Sequence, residues 1–444
     1  MARLFGTDGV RGVANTELTC DLAFKLGQAA VAFQGKTILI GKDTRLSGDM
    51  LESCVAAGVM SMGGTALMAG IIPTPAIALL VRELCCDGGV MISASHNPPE
   101  YNGIKLFDNK GFKLPDSVED DIESFVLEGG AGAHCVPAGD AVGVIVPVDE
   151  ACEMYIEHAV STIEEQNVNF DGLKVALDVG HGASYMTSAE ALRRLGAEVV
   201  VINEDFDGTD INVECGSTHL EPLRELVATT GADVGIAHDG DADRVMMVDA
   251  DGNEIDGDIV EAVCAIDLKN RGLLAHNTAV STVMCNLGLS HALRDAGIEL
   301  IQTKVGDRYV LEAMREGGFV IGGEQSGHMI FLEHNSTGDG LVTALQFLAA
   351  CQRMGSTIAQ ATSVMTRFPQ TLINVRVKDK HAVESNAAVQ AAVAQAEEVL
   401  GDSGRVLLRA SGTEPVVRVM VEAQSAEEAD RHAQAIAEVV AREV

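Results

Sequence analysis

Positive charge is scarce in this chain of 444 residues: 31 lysines and arginines stand against 65 aspartates and glutamates, a formal net charge of −34. A surface this negative repels nucleic acid and anionic membranes, so neither is an expected partner. Any anionic substrate must be drawn in by a local basic pocket against that field. The ten cysteines include no CxxC pair, and the opening Met1-Ala2-Arg3-Leu4-Phe5-Gly6 lacks the charged-then-apolar pattern of a secretory signal. Both readings predict reduced thiols and a cytoplasmic location. There is also no clean hydrophobic span. Between Glu52 and Arg82 the chain carries no charge, but Gly58, Gly63, Gly64, Gly70, Pro73 and Pro75 cut the stretch into a short helix, a strand at Thr65 to Met68, a turn and another helix. No Walker A sequence is present, and Gly180-His181-Gly182 lacks the third glycine of a dinucleotide fingerprint, so nucleotide binding has little support.

What is present is an ordinary globular composition, 47% hydrophobic and 22% charged, in a chain long enough for two to four domains. Over its first five-sixths, apolar strand-like runs alternate with helical windows. Examples are Thr37 to Ile40 before a helix from about Asp49, Lys174 to Leu177 before Ser188 to Leu195, and Ala279 to Thr282 before Leu287 to Ala296. That rhythm predicts βαβ units with mainly parallel sheets. Boundaries are expected in the glycine-rich stretch Gly129 to Gly143, near the turn Asp249 to Asn253, and before Phe368-Pro369. The last segment reads differently: strand Thr371 to Val377, helix Ala382 to Leu400, strands Arg405 to Leu408 and Val416 to Glu422, and helix Ala426 to Val440 make a small α+β domain.

Three distinctive loops each follow an apolar strand: Ser93 to Pro99 after Gly89 to Ile92, Asp239 to Arg244 after Asp233 to Ala237, and Gly323 to His328 after Phe319 to Ile321. Ligands of open α/β sheets bind outside the carboxyl ends of strands, so three similar domains could aim these loops at one cleft. In the first loop Ser95 and His96 are neighbours, and adjacent residues rarely point at each other, which makes a simple Ser-His dyad a poor reading. In the second, Asp239, Asp241 and Asp243 alternate, so the three carboxylates can share one face and hold a hard cation. An EF-hand is excluded, because it would need glycine at 244 and glutamate at 250, where Arg244 and Ala250 stand. Asp249, Asp251, Asp256 and Asp258 read instead as a solvated acidic turn. Near the C-terminus, Arg409-Ala410-Ser411-Gly412-Thr413-Glu414-Pro415 with Arg418 combines exposed amides, two hydroxyls and two guanidinium groups, the makings of a phosphate cradle.

Together with Phe5-Gly6-Thr7-Asp8-Gly9-Val10-Arg11-Gly12, Gly41-Lys42-Asp43-Thr44-Arg45-Leu46-Ser47-Gly48 and Gly323-Glu324-Gln325-Ser326-Gly327-His328, these segments run in the order found in the α-D-phosphohexomutases. The chain resembles that family over essentially its whole length. The resemblance implies an α/β fold of three similar α/β domains with mixed, mainly parallel sheets plus a C-terminal α+β domain around a central cleft, with boundaries at 1–149, 150–249, 250–366 and 367–444. It implies that Ser95 carries a phosphoryl group, that Mg²⁺ is held by Ser95, Asp239, Asp241 and Asp243, and that Arg11, His96, Lys105 and Arg244 assist. Lys304, Glu324, Ser326 and His328 would recognise the sugar, and Arg409, Ser411, Gly412, Thr413 and Arg418 the phosphate that is not reacting.

Gln325 and the segment Val305-Gly306-Asp307-Arg308-Tyr309 are more similar to the hexosamine-phosphate branch than to the gluco- or mannomutase branches. One departure is Val179-Gly180-His181-Gly182-Ala183, where family members commonly show a Cys-Ala-Asn-Gly-Ala-like turn. The implied reaction interconverts glucosamine 6-phosphate and glucosamine 1-phosphate through glucosamine 1,6-bisphosphate, which also serves as activator, and feeds UDP-N-acetylglucosamine synthesis. A homodimer is compatible with that expectation. The alternatives are a phosphogluco- or phosphomannomutase, or a phosphatase that passes the phosphoryl group from Ser95 to water.

Overall fold

The computed structural model describes residues 3–6, 8–131, 136–164, 166–380, 382–410 and 415–444. The chain forms two compact units, Met1–Met284 with Gly297–Ser363, and Cys285–Ala296 with Val364–Val444.

The larger unit contains three mixed sheets. In the first, Thr37–Lys42 pairs in parallel with both Thr65–Ile71 and Gly88–Ile92. Val144–Pro147 extends one edge in parallel, and Tyr101–Asp108 followed by Val10–Val13 extends the other antiparallel. The second sheet places Lys174–Asp178 between Glu198–Ile202 and Val234–His238, all parallel, then adds Val245–Asp249 and Glu254–Ile255 antiparallel. The third pairs Thr278–Thr282 in parallel with Glu299–Thr303 and Ile321–Gly323, and closes with Met329–Phe331 antiparallel. Strands Gly88–Ile92 and Val234–His238 are buried at every position, as expected of sheets covered on both faces. The loops that begin just past their carboxyl ends start at Ser93 and Asp239, and the one polar side chain inside these two strands, His238, is buried against Ser188 and the Arg244 carbonyl.

The uncharged stretch resolves into helix Gly48–Ser61, strand Thr65–Ile71 and helix Thr74–Glu83. Among the described residues no helix is long and apolar enough to cross a membrane. Helix Cys20–Phe33, capped by the Thr19 side chain, crosses Gly48–Ser61 at two glycines. A Cβ on Gly27 would stand 2.2 Å from the Val55 carbonyl oxygen, and one on Gly58 would stand 2.1 Å from that of Phe24.

The smaller unit is a three-stranded antiparallel sheet, Gln370–Arg376, Val416–Glu422 and Arg405–Ala410. Val417, Val419 and Val421 bury one of its faces in a core shared with helices Ala387–Leu400 and Ala426–Glu443. Helix Leu287–Asp295 joins this unit. The buried Glu422 carboxylate accepts from Arg405 Nε at 2.7 Å, Asn286 Nδ2 at 3.0 Å and the Leu287 amide at 3.0 Å, so one carboxylate both pairs with Arg405 and tethers the helix N-terminus.

Three local expectations need correction. The helix expected from Ala382 begins at Ala387, because Asn386 accepts from the Ala388 and Val389 amides and fixes the start there. The strand expected at Phe319 to Ile321 occupies Ile321–Gly323, two residues later, because Gly318 ends the preceding helix in the left-handed conformation. Of the aspartates read as a solvated turn only Asp251 is exposed. Asp249 accepts from the amides of Asp251 and Asn253, Asp256 caps helix Gly257–Asn270, and Asp258 accepts from Gln325.

Alanine usually favours a helix interior over glycine by about 1 kcal/mol. At the crossing the clash dominates, and Gly58→Ala should destabilise by on the order of 1–3 kcal/mol. Urea unfolding checks this: a midpoint at or above that of the unmodified chain would contradict the crossing geometry.

Candidate active site

Ser95 follows the buried strand Gly88–Ile92 with φ +54°, a left-handed conformation that L side chains seldom adopt. Its Oγ donates to Asp239 Oδ2 at 2.6 Å and lies 3.4 Å from His96 Nδ1. The serine loop and the aspartate loop thus meet through the proposed reacting atom itself. A Cβ on Gly240 would stand 2.8 Å from the Ser95 carbonyl oxygen, and one on Gly182 would stand 2.6 Å from the Gly240 carbonyl oxygen. Both positions need glycine for close approach, and this is the structural role of the Gly180-His181-Gly182 segment.

Asp239, Asp241 and Asp243 each offer a carboxylate oxygen within 4.8 Å of the others, and all three residues are buried. Burial, reinforced by repulsion from Asp243 and Asp241, pushes the Asp239 carboxyl well above the usual range. Oδ1 of Asp241 and Oδ1 of Asp243 are buried without a hydrogen-bond partner. An all-oxygen donor set with surplus negative charge and two unused acceptors fits a divalent cation.

The surrounding cations are held by carboxylates. Lys105 Nζ lies 2.8 Å from Asp241 Oδ2, 2.9 Å from Asp8 Oδ2 and 3.5 Å from Asp243 Oδ2. Burial opposes its charge, but those three carboxylates more than offset this and keep the ammonium protonated. Arg11 pairs with Asp8. Arg244 lies 3.7 Å from Asp243 Oδ1, and its backbone amide donates to Asp239 Oδ1 at 3.2 Å. Burial, then Arg244 and Arg11, push His96 down to about 4, so its imidazole is neutral at pH 7. A serine hydroxyl, a cluster of carboxylates that fits a divalent cation and three permanent cations together suit transfer of a phosphoryl group.

Comparison with known proteins agrees. Models of the four phosphoglucomutase/phosphomannomutase domains match residues 2–131, 153–252, 256–368 and 372–439. Phosphoglucosamine mutase from Clostridium novyi (strain NT) is 52% identical over 99% of both chains, and that from Desulforamulus reducens is 50% identical over 99% of both. The crystal structure of a phosphoglucomutase/phosphomannomutase family protein from Burkholderia thailandensis superposes with a TM-score of 0.82 at 26% identity, covering 98% of each chain. The chain belongs to the phosphoglucosamine mutase family. It is accordingly an isomerase.

Within this mutase the sugar-loop residues do not stand alike. Glu324 Oε1 accepts from the Gly306 amide at 3.2 Å, tying the third loop to the segment that holds Lys304. Ser326 and Lys304 are exposed, the Lys304 ammonium standing 5.9 Å from the centre of the Tyr309 ring. His328 is buried, its two ring nitrogens 3.6 Å from Asp243 and 3.6 Å from Asp307, and Nε2 accepts from the Gly338 amide. It therefore touches the aspartate loop through Asp243. In the smaller unit Arg409 and Arg418 are both exposed and directly opposite each other across two strands. Ser411, Gly412 and Thr413 lie outside the described residues.

Sequence reasoning missed Asp8, which gathers Arg11, Lys105 and Lys113 around one carboxylate. It also missed Thr74, whose Oγ1 donates to Asp241 Oδ2 at 2.5 Å, and Asn212, which donates to the Ser95 carbonyl at 2.9 Å. Asp8 sits inside a motif already noted. Thr74 and Asn212 carry no local signal, since their partners are remote in sequence.

If the three carboxylates form a cation site, Asp239→Asn should remove repulsion and the cation's grip together. Without metal its melting temperature should equal or exceed that of the unmodified chain, whereas added Mg²⁺ should raise it less. Saturating metal at 100 times its dissociation constant is worth about 2.7 kcal/mol. A lower metal-free melting temperature with an undiminished Mg²⁺ shift would place the cation elsewhere.

Proposed function

We propose that the chain interconverts glucosamine 6-phosphate and glucosamine 1-phosphate, with Ser95 as the carrier of the phosphoryl group. The observation that carries this reading is the 2.6 Å hydrogen bond from Ser95 Oγ to Asp239 within the three-carboxylate cluster. With Ser95 phosphorylated, the free hydroxyl of the bound hexosamine phosphate attacks phosphorus and the bond from phosphorus to Ser95 Oγ breaks. The hydroxyl proton passes through the surrounding cluster to Ser95 Oγ, and Lys105, held protonated by Asp241, Asp8 and Asp243, is its last donor. The bisphosphate turns over, and the other phosphoryl group returns to Ser95 by the reverse step.

Asp239, Asp241 and Asp243 would hold Mg²⁺ together with a phosphoserine oxygen, and the cation would offset charge on the transferring group. Arg244 and Arg11 add fixed positive charge at the same place, and neutral His96 orients the serine oxygen. Glu324 and Ser326, with His328 and Lys304 in support, recognise the hexosamine. A carboxylate suits an ammonium group.

Arg409 and Arg418 take the phosphate that is not reacting, joined by Ser411, Gly412 and Thr413. Two like charges directly opposite across a strand pair destabilise a sheet, and a bound dianion reverses that penalty. The substrate must bind in two orientations, so one anchor has to accept the phosphate of either end.

Ser95→Ala should abolish turnover on glucosamine 6-phosphate while leaving the chain folded, with at most a modest fall in melting temperature from the lost hydrogen bond to Asp239. Turnover within tenfold of the unmodified enzyme would refute the phosphoserine route. Initial rates on glucosamine, glucose and mannose phosphates should be highest for glucosamine; a preference for either of the others would reassign the substrate.

Arg418→Ala removes a charge-assisted donor, whereas Arg409→Lys keeps the charge and loses the fork. Losing such a bond costs roughly 1.5–3 kcal/mol, or about ten- to hundredfold in the Michaelis constant. Arg418→Ala should show the larger rise and release free bisphosphate. Unchanged Michaelis constants in both variants would remove the anchor from this sheet.

A further inference from the structure

The motif Gly41 to Gly48 supplies none of the groups assigned above, yet its arginine is wholly enclosed, with 0% of its side chain exposed. Every one of the five guanidinium N–H groups of Arg45 has an acceptor. Nε donates to Asp43 Oδ2 at 2.9 Å, Nη1 to the carbonyls of Pro98 at 2.5 Å and Tyr101 at 3.0 Å, and Nη2 to those of Ser95 at 2.9 Å and Asn97 at 2.8 Å. Four main-chain oxygens between residues 95 and 101 thus converge on a single side chain.

Asp43 serves both ends of the arrangement. It orients the guanidinium, and it accepts from Ser93 Oγ at 2.6 Å, while the same Ser93 oxygen accepts from the Ser95 amide at 2.9 Å. The Ser95 backbone is therefore gripped at its N–H through Ser93 and at its carbonyl by Arg45. Between those two grips its φ stays at +54°. L side chains seldom adopt that region by themselves, and Asn212 adds a donor to the same carbonyl at 2.9 Å. That conformation places Oγ at Asp239.

We propose that Arg45 is a positioning residue for phosphoryl transfer: it touches neither substrate nor the transferring group, but holds the serine loop so that Oγ of Ser95 stays in line at the carboxylate cluster. The inference rests on the reading of Ser95 as the phosphoryl carrier. Lysine cannot replace arginine here, because a point charge with three donors cannot span four carbonyls and a carboxylate fixed by a planar fork. A displacement of about 1 Å at a reacting centre costs on the order of 100-fold in rate.

The test compares unmodified enzyme with Arg45→Lys and Ser93→Ala, each normalised to folded protein. It measures kcat and KM for glucosamine 6-phosphate, and the rate at which glucosamine 1,6-bisphosphate phosphorylates the dephospho-enzyme, followed by intact mass. Arg45→Lys should lower kcat and the phosphorylation rate together by roughly 10- to 100-fold, with KM changed less than threefold. Ser93→Ala, which cuts the other grip with a smaller change in packing, should show the same pattern more mildly. A kcat within threefold of the unmodified enzyme in both variants overturns the proposal. So does a fall in melting temperature and kcat accompanied by a comparable rise in KM, which marks a purely structural arginine. Should Arg45→Lys not fold, Ser93→Ala decides alone. Ser95→Ala in the same assays separates the two readings: if it remains active the phosphoserine reading has failed, and if it is inactive while Arg45→Lys and Ser93→Ala are unaffected, only the positioning role has.

Discussion

Three carboxylates buried within 4.8 Å of one another in one loop set the terms for everything around them. Burial and mutual repulsion make such a cluster costly unless positive charge is brought to it. The larger unit brings it from several directions: Lys105 on Tyr101–Asp108, Arg11 on Val10–Val13, and Arg244 beside the cluster. Asp8 then balances Arg11, Lys105 and Lys113. Charge compensation thus helps fix where the first two sheets stand relative to each other inside this unit, and the same arrangement brings the Ser95 hydroxyl to Asp239.

The loops can approach only because side chains are missing where they touch. Gly240 lies under the Ser95 carbonyl and Gly182 under the Gly240 carbonyl, so three loops from two sheets are stacked at backbone distance. Hydrogen bonds to main-chain oxygens then hold them: Asn212 and Arg45 share the Ser95 carbonyl. A hydroxyl placed this way is set by backbone position and needs few side-chain contacts of its own, which is how precise geometry can be supported on a loop.

The smaller unit solves a different problem. Its valine-rich face closes a core with two helices, while the facing pair Arg409 and Arg418 leaves like charge exposed on the other side. Elsewhere in the same unit, Arg405 is neutralised by a buried glutamate. The contrast separates an arginine that holds the fold from two that face each other on an exposed surface.

Much of this was legible in the residues. The alternation of apolar strands and helices predicted α/β architecture because parallel strands must be buried on both faces, and the Asp-x-Asp-x-Asp spacing predicted a cation site because alternate side chains share a face. Motif order carried the family, and identity over nearly the whole chain agrees with it. What the sequence could not supply was partnership across long separations. Ser95 and Asp239 are 144 positions apart and Thr74 and Asp241 are 167 apart, so nothing local announces either bond. His328 was expected at the sugar from its motif, and nothing local announced that its ring nitrogens would lie 3.6 Å from both Asp243 and Asp307. Asp256 and Asp258 looked solvated, yet a helix start and Gln325 drew them inside. Residue type and spacing determined which chemistry this chain can perform; which groups meet the Ser95 hydroxyl was decided only when the sheets packed, because that depends on burial and charge balance among residues that are neighbours in space alone.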